Sequence, residues 1–327
     1  MSISARRIPL AHVPTPIWRS DALDALVGTR VWVKRDDMTG GAEAGNKIRK
    51  LEFLMAEALG TRSTVVLTCG AVQSNHARAT ALVAVQLGLR SVLFLRTDNP
   101  TSPPPPTANL MLDRLVDAEV RFITPDQYER RDALMAEAAA DLNDTGERAY
   151  VIPEGGSNGR GALGYVQAMR EVRDQLDLSL GGGPAEFDAV VHACGSGGTA
   201  AGVVLGAKRY RVAPLVYAMA VCHDRSHFEG IIQRVVTEAR PLLGTDEPTA
   251  ELRVIDEYQG PAYGVASAEQ IEFIRSVATG CGLILDPVYS GKALFALSRL
   301  EQKPARALFL HTGGLPGLLA QAEVFSG

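Results

Sequence analysis

Short apolar runs alternate with longer amphipathic stretches along almost the whole chain. The runs at 31–34, 65–68, 91–96, 120–123 and 149–152 are too short for helices and rich in large apolar residues, so each predicts a strand. Between them, Ile48, Leu51, Leu54, Met55, Ala58 and Leu59 recur at helical spacing. Similar patterns predict helices at 74–87, 109–117, 126–142 and 162–176. The second half repeats the grammar, with strands expected at 189–193, 215–221, 283–286 and 307–310, each followed by a helical pattern. Strands separated by helices imply largely parallel sheets, because a parallel crossover needs a long covering segment. The expected fold class is therefore α/β.

Two stretches break this pattern. Residues 97–106 end in four consecutive prolines, Pro103 to Pro106, and can be neither helix nor inner strand. Residues 180–184 contain Gly181, Gly182 and Gly183 and form a flexible connector, either a domain boundary or a long loop.

Composition narrows the function classes. With 327 residues, 46% hydrophobic, the chain is long enough for two domains or one large unit. Its 33 basic and 37 acidic residues give a net charge of −4 with no basic stripe, which argues against a nucleic-acid partner. No run approaches the length of a membrane span, and residues 1–7 lead into no apolar signal segment. Cys69, Cys194, Cys222 and Cys281 are far apart, so neither a disulfide framework nor a metal site is expected, and a reducing cytoplasm suits them.

Three polar clusters carry candidate chemistry. Gly45-Asn46-Lys47 closes a glycine-rich turn that enters a helix. Lys47 there is either a surface charge or, if kept partly neutral, an amine able to form a Schiff base with a carbonyl cofactor. Gln73-Ser74-Asn75-His76 follows a strand and a turn and opens the next helix. Ser74 or Asn75 is a natural N-cap; the same helix start, with its free N–H groups and positive dipole end, could grip a substrate carboxylate. The third cluster, Gly195-Ser196-Gly197-Gly198-Thr199, lies between an apolar strand and a helix, the geometry of a phosphate cup. It is no P-loop, but Gly195-x-Gly197 also opens a dinucleotide fingerprint with Asp224 as a ribose acid, and the loop by itself leaves both cofactors open. Downstream, Tyr263 sits in a tight turn, Tyr289 and Ser290 follow the run 283–286, and Thr312-Gly313 follow the run 307–310. Polar residues gathered at the ends of parallel strands are where open α/β sheets bind ligands.

In combination these segments resemble one family, the pyridoxal-phosphate (PLP) enzymes that include D-cysteine desulfhydrase and 1-aminocyclopropane-1-carboxylate (ACC) deaminase. The likeness runs from about Pro14 to Gly317 through Lys34-Arg35-Asp36-Asp37, Gly45-Asn46-Lys47, Arg49-Lys50-Leu51-Glu52, Gln73-Ser74-Asn75-His76, Asp286-Pro287-Val288-Tyr289 and His311-Thr312-Gly313-Gly314. It implies a tryptophan-synthase-β-like fold (PLP fold type II) with two α/β domains: a large one from 1–54 plus 161–327 and a small one at 55–160. It also implies a homodimer, a small amino-acid substrate and PLP held as a Schiff base on Lys47. By the same resemblance, Asn75 contacts the cofactor ring oxygen, Gly195 to Thr199 hold its phosphate and Ser290 faces its pyridine nitrogen. Gln73, Ser74, Asn75 and His76, with Thr312 and Gly313, would bind substrate, and Tyr263 and Tyr289 would line the reacting face.

Three positions separate members of that family. ACC deaminases follow the tyrosine matching Tyr289 with glutamate, where this chain has Ser290. His76 and Thr312 also stand on the desulfhydrase side. The expected reaction is α,β-elimination, with D-cysteine as substrate. Ala79 departs from the family pattern, and residues 221–227 are unusually rich in His and Arg. That segment is either a solvated strand end or a cationic rim suited to an acidic side chain, as an L-cysteate sulfo-lyase would need.

Overall fold

Residues 5–244 and 246–325 are described in this computed structural model, and their ten strands form two open sheets. The strands are β1 (Ile17–Arg19), β2 (Arg30–Lys34), β3 (Val65–Ala71), β4 (Arg90–Arg96), β5 (Glu119–Ile123), β6 (Ala149–Val151), β7 (Ala189–Cys194), β8 (Leu215–Ala220), β9 (Glu251–Ile255) and β10 (Arg306–Leu310). One sheet has the order β1-β2-β10-β7-β8-β9, parallel except for β1 against β2. The other, β5-β4-β3-β6, is parallel throughout. Every residue of β7 is buried, as are all of β3 but its last. Strands buried on both faces need helices above and below, which the intervening amphipathic segments supply. The α/β class and the mostly parallel sheets are as expected.

Glycines let three helices approach closely. A Cβ on Gly164 of the Gly159–Asp177 helix would fall 2.3 Å from the Arg49 carbonyl oxygen of the Asn46–Gly60 helix. One on Gly202 of the Gly198–Arg209 helix would fall 2.2 Å from the Ala162 carbonyl oxygen.

A buried charge network sits at the first of these contacts. The Arg49 guanidinium donates to both Asp36 oxygens at 2.8 Å and to Glu171 Oε2 at 2.9 Å. Lys34 Nζ donates to Glu171 Oε1 at 2.5 Å, and Tyr165 OH to Asp36 Oδ2 at 2.7 Å. Burial pushes the Asp36 and Glu171 carboxyls up, but the bonds and charge of Arg49 outweigh it and hold both below their ordinary values. Such a network does little for net stability against an apolar core, yet removing one partner is severe. Its place, two residues beyond Lys47, fixes the start of that helix.

Several expectations fail. Residues 283–286 form no strand: β10 is already paired on both edges by β2 and β7, and Leu283 and Leu285 are buried by packing alone. The pattern at 126–142 is two helices, Pro125–Glu129 and Arg131–Asp144, broken at Arg130. The connector at 180–184 divides nothing, because residues on both sides of it share one hydrophobic core. Strands β1 and β9 were not foreseen. Among the described residues, no helix is long and apolar enough to cross a membrane.

Candidate functional site

A cavity of about 360 Å³ opens at the carboxyl ends of β3, β4 and β7, where open parallel sheets place their ligands. Lys47, Ser74, Asn75, His76, Gly195, Ser196, Gly197, Thr199, Tyr263, Tyr289, Thr312 and Gly313 line it. Gln73, Gly198 and Ser290 do not.

Lys47 is held from two sides. Gly45, at φ +122°, precedes its helix, and a Cβ there would lie 3.0 Å from the Thr312 carbonyl oxygen, which accepts from Asn46 N at 3.0 Å. The 312–313 loop therefore braces the Lys47 turn directly. Lys47 Nζ donates to Asn46 Oδ1 at 3.2 Å. Burial lowers its amine to about 8, against the raising influence of Glu154, so a fraction is neutral near physiological pH.

The polar quartet divides its work. Ser74 is the N-cap of the Asn75–Gln86 helix, its Oγ accepting from Ala77 N at 3.1 Å. The N–H groups of Asn75 and His76, ahead of it at that helix start, have no intrahelical acceptor and are available to an anion. Asn75 Oδ1 accepts from Asn109 Nδ2 at 3.1 Å, which turns the Asn75 amide so that its own NH2 can donate. Gln73 is spent elsewhere, donating to the Thr107 carbonyl and accepting from Asn109 N. His76 Nε2 pairs with Thr68 Oγ1 at 2.9 Å. Since that hydroxyl donates to the Ile152 carbonyl, Nε2 carries the proton. His76 Nδ1 has no partner among the described residues. Burial, then the charges of Lys47 and Lys50, keep the ring neutral.

The glycine loop is one wall of a cup, and the second wall was missed in the sequence. Gly197, at φ +78°, caps the Gly198–Arg209 helix. Ser157 Oγ bonds Ser196 Oγ at 2.8 Å and accepts from Gly198 N at 3.2 Å. Asn46 Nδ2 donates to Thr199 Oγ1 at 3.2 Å. Lys50 is buried beneath: its Nζ donates to the Gly155 carbonyl at 2.9 Å, and a Cβ on Gly198 would lie 2.9 Å from it. No carboxylate pairs with Lys50 among the described residues, and burial, then Lys47, lowers its amine well below the ordinary value.

Across the cavity, the Tyr263 and Tyr289 hydroxyls meet at 2.5 Å. Burial raises both, Tyr263 to about 12 and Tyr289 well above its ordinary value, so both keep their protons and one hydroxyl donates to the other. Ser290 lies under this pair. Its Oγ donates to Asp286 Oδ1 at 2.5 Å, and Asp286 also accepts from the N–H groups of Val288, Tyr289 and Ser290. The outer wall holds Arg96, Tyr128, Arg131, Glu154, His223 and His227. Glu154 accepts from Tyr128 OH at 2.6 Å and pairs with Arg131 at 3.1 Å, whereas Arg96 lies over the rings of Tyr128 and Tyr263. Only the His/Arg richness of 221–227 signalled any of this wall in advance.

Known proteins are similar to this chain along nearly its whole length. Residues 8–313 match the family described as "Pyridoxal-phosphate dependent enzyme". A mitochondrial protein of Arabidopsis thaliana named bifunctional D-cysteine desulfhydrase/1-aminocyclopropane-1-carboxylate deaminase is 41% identical, over 96% of this chain and 79% of its own. A Yersinia enterocolitica protein named D-cysteine desulfhydrase is 38% identical, over 96% of this chain and 95% of its own. A crystal structure described as an ACC deaminase homologue superimposes with a TM-score of 0.87 at 36% identity, covering 98% of this chain and 96% of that one.

Proposed function

Because the chain belongs to the family of pyridoxal-phosphate dependent enzymes, we propose that it eliminates the β-substituent of a small amino acid, with D-cysteine as substrate. The cavity residues suit the cofactor. Lys47 offers a partly neutral amine, and the glycine cup with the unpaired Lys50 beneath it suits a phosphate dianion. Lys47 would hold the carbonyl carbon, Asn75 the ring oxygen, and Gly195 to Thr199 with Ser157 the phosphate. When bound, the cofactor supplies a conjugated ring that takes up the electron pair released at the substrate Cα.

The chain's own residues do the rest. The free N–H groups after Ser74, with Asn75, grip the substrate carboxylate and so fix which bond at Cα stands ready to break. Lys47 Nζ takes the Cα proton, its lowered basicity suiting transfer near neutral pH. The Cβ–S bond breaks with both electrons going to sulfur. The departing thiolate takes the proton that Lys47 removed, and the neutral Tyr263–Tyr289 pair hydrogen-bonds the sulfur as it leaves. Water replaces the nitrogen, so D-cysteine and water yield pyruvate, hydrogen sulfide and ammonia.

The observation that carries elimination over cyclopropane opening is the hydroxyl at Ser290. The neighbouring Asp286 carboxylate is spent on that hydroxyl and three backbone N–H groups, leaving no free acid after Tyr289 to strengthen the ring as an electron sink. A substrate with a good leaving group at Cβ suits such a site. One observation favours a second substrate: the Arg96 guanidinium on the outer wall forms no ion pair among the described residues, and an L-cysteate sulfonate would pair with it. We also assign 55–160, which contains the four-stranded sheet, as a small domain inserted in the larger one.

The test offers D-cysteine, L-cysteine, ACC and L-cysteate separately to the holoenzyme. Equal amounts of sulfide and pyruvate from D-cysteine alone are expected. 2-Oxobutyrate from ACC, or sulfite from L-cysteate, without sulfide from D-cysteine, would replace this substrate assignment.

A further inference from the structure

Between Tyr258, which packs on Phe295, and the Tyr263 ring, which meets that of Tyr289, the turn buries little apolar surface. Val265 is 48% exposed, and Pro261 and Ala262 are exposed as well. Side-chain hydrogen bonds to its backbone carbonyls hold this stretch. Gln270 Nε2 donates to Tyr258 O at 2.8 Å and Gln321 Nε2 to Gly264 O at 3.1 Å. Lys292 Nζ donates to both Gln259 O, at 2.5 Å, and Ala262 O, at 3.0 Å.

Lys292 is 1% exposed and forms no ion pair among the described residues. An ammonium kept in the core with only carbonyls for partners works against its own desolvation, which lowers it to about 8. An apolar residue would fill the same space without that cost, so the donors have a use. The turn folds closely over them: a Cβ on Gly260 would meet Val265 O at 2.8 Å and Lys292 Nζ at 3.4 Å. Lys292 lies on the Ser290–Arg299 helix, whose start is fixed by Asp286 through the N–H groups of Tyr289 and Ser290. One short helix start thus holds both tyrosines, Tyr289 through Asp286 and Tyr263 through Lys292.

We propose that Lys292 is a positioning residue for the tyrosine pair, its ammonium clamping the Gln259 and Ala262 carbonyls so that the Tyr263 hydroxyl stays on Tyr289. The kinetic part rests on the elimination reading above; the clamp itself does not. Without the donors, the turn drifts outward and the hydroxyl pair opens, while Lys47 and the phosphate cup keep their places.

The test compares holoenzymes carrying Lys292→Met, Tyr263→Phe and both substitutions. Amide hydrogen exchange in the peptide covering 258–265 should quicken about tenfold in Lys292→Met, with the Asn46–Gly60 helix unchanged. The kcat for sulfide release should fall about tenfold in Lys292→Met but less than about twofold when Phe already replaces Tyr263, since coupled residues are non-additive. KM should change little. If no substrate is turned over by the parent enzyme, the exchange result still decides whether the clamp exists. Unchanged exchange in the turn would overturn the proposal, as would an equal kcat loss in both backgrounds. A Lys292→Met chain that does not fold would also overturn it, by placing the lysine in the general core.

Discussion

Replacing Gly164 by alanine tests whether helix packing sets the position of Lys47. The new Cβ would lie 2.3 Å from Arg49 O, 2.5 Å from Arg49 C and 2.8 Å from Lys50 N. These are backbone atoms, so no rotamer change relieves the clash. Ordinary contact begins at 3.4 Å, and the two helices must therefore part by about an ångström. Overpacking costs about 1–3 kcal/mol, and alanine recovers about 1 kcal/mol of helix propensity. The parting also stretches the Arg49 bonds to Asp36 and Glu171, so a net loss of about 1–2 kcal/mol is expected. In a chain this long that lowers Tm by only a few degrees, roughly 2–4 °C. Activity should suffer more, because an ångström of misplacement near the reacting groups costs up to about a hundredfold in rate. The assay pairs thermal melting with sulfide release, and Gly230→Ala is the control, since a Cβ there meets nothing within 4 Å. An undiminished Tm with full activity in Gly164→Ala would refute the argument that this contact positions Lys47.

Lys50→Met should leave the fold intact, since a buried unpaired amine gives way to an apolar stem, yet weaken cofactor affinity about tenfold or more by equilibrium titration. Lys47, lowered to about 8, should make cofactor capture by the apo chain accelerate as pH rises through 8 and level off above it; a rate flat from pH 7 to 9 would contradict this. Its folded value lies below the unfolded one, so unfolding binds a proton between about 8 and 10 and apo stability from this group rises with pH in that window. Asp36 and Glu171 act oppositely: both are depressed, so their contribution is full above their ordinary values and is lost as pH falls through the folded ones, below about 4. Urea midpoints should hold from pH 7 to 5 and drop by pH 3, and Asp36→Asn should cost about 3–5 kcal/mol at pH 7 by leaving Arg49 under-paired.

The sequence carried much of this because periodicity and chemistry coincide at the ends of strands. Runs such as 65–68 and 189–193 are buried on both faces and lie next to polar clusters, so both strand and site were legible there. β9 escaped notice because Glu251 and Arg253 break its apolar pattern, as suits an edge strand facing water. The run 283–286 misled because burial under a helix and pairing in a sheet leave the same apolar signature. Ser157 and Asn109 could not be found by spacing. Ser157 lines the cavity and bonds Ser196, and Asn109 bonds Asn75 from behind it, through long-range contacts that no local pattern encodes. Gln73 shows the converse: its place in a polar quartet suggested the substrate, but Thr107 and Asn109 occupy its amide.

The most direct test is to reduce the cofactor-loaded protein with borohydride, which fixes the cofactor to whichever amine holds it, and to map the modified peptide by mass spectrometry. The mass should fall on Lys47 alone, at one equivalent per chain, and vanish in Lys47→Ala. A label on Lys50, Lys34 or Lys292 instead, or an unlabelled protein that still releases pyruvate, would contradict the assignment of this cavity.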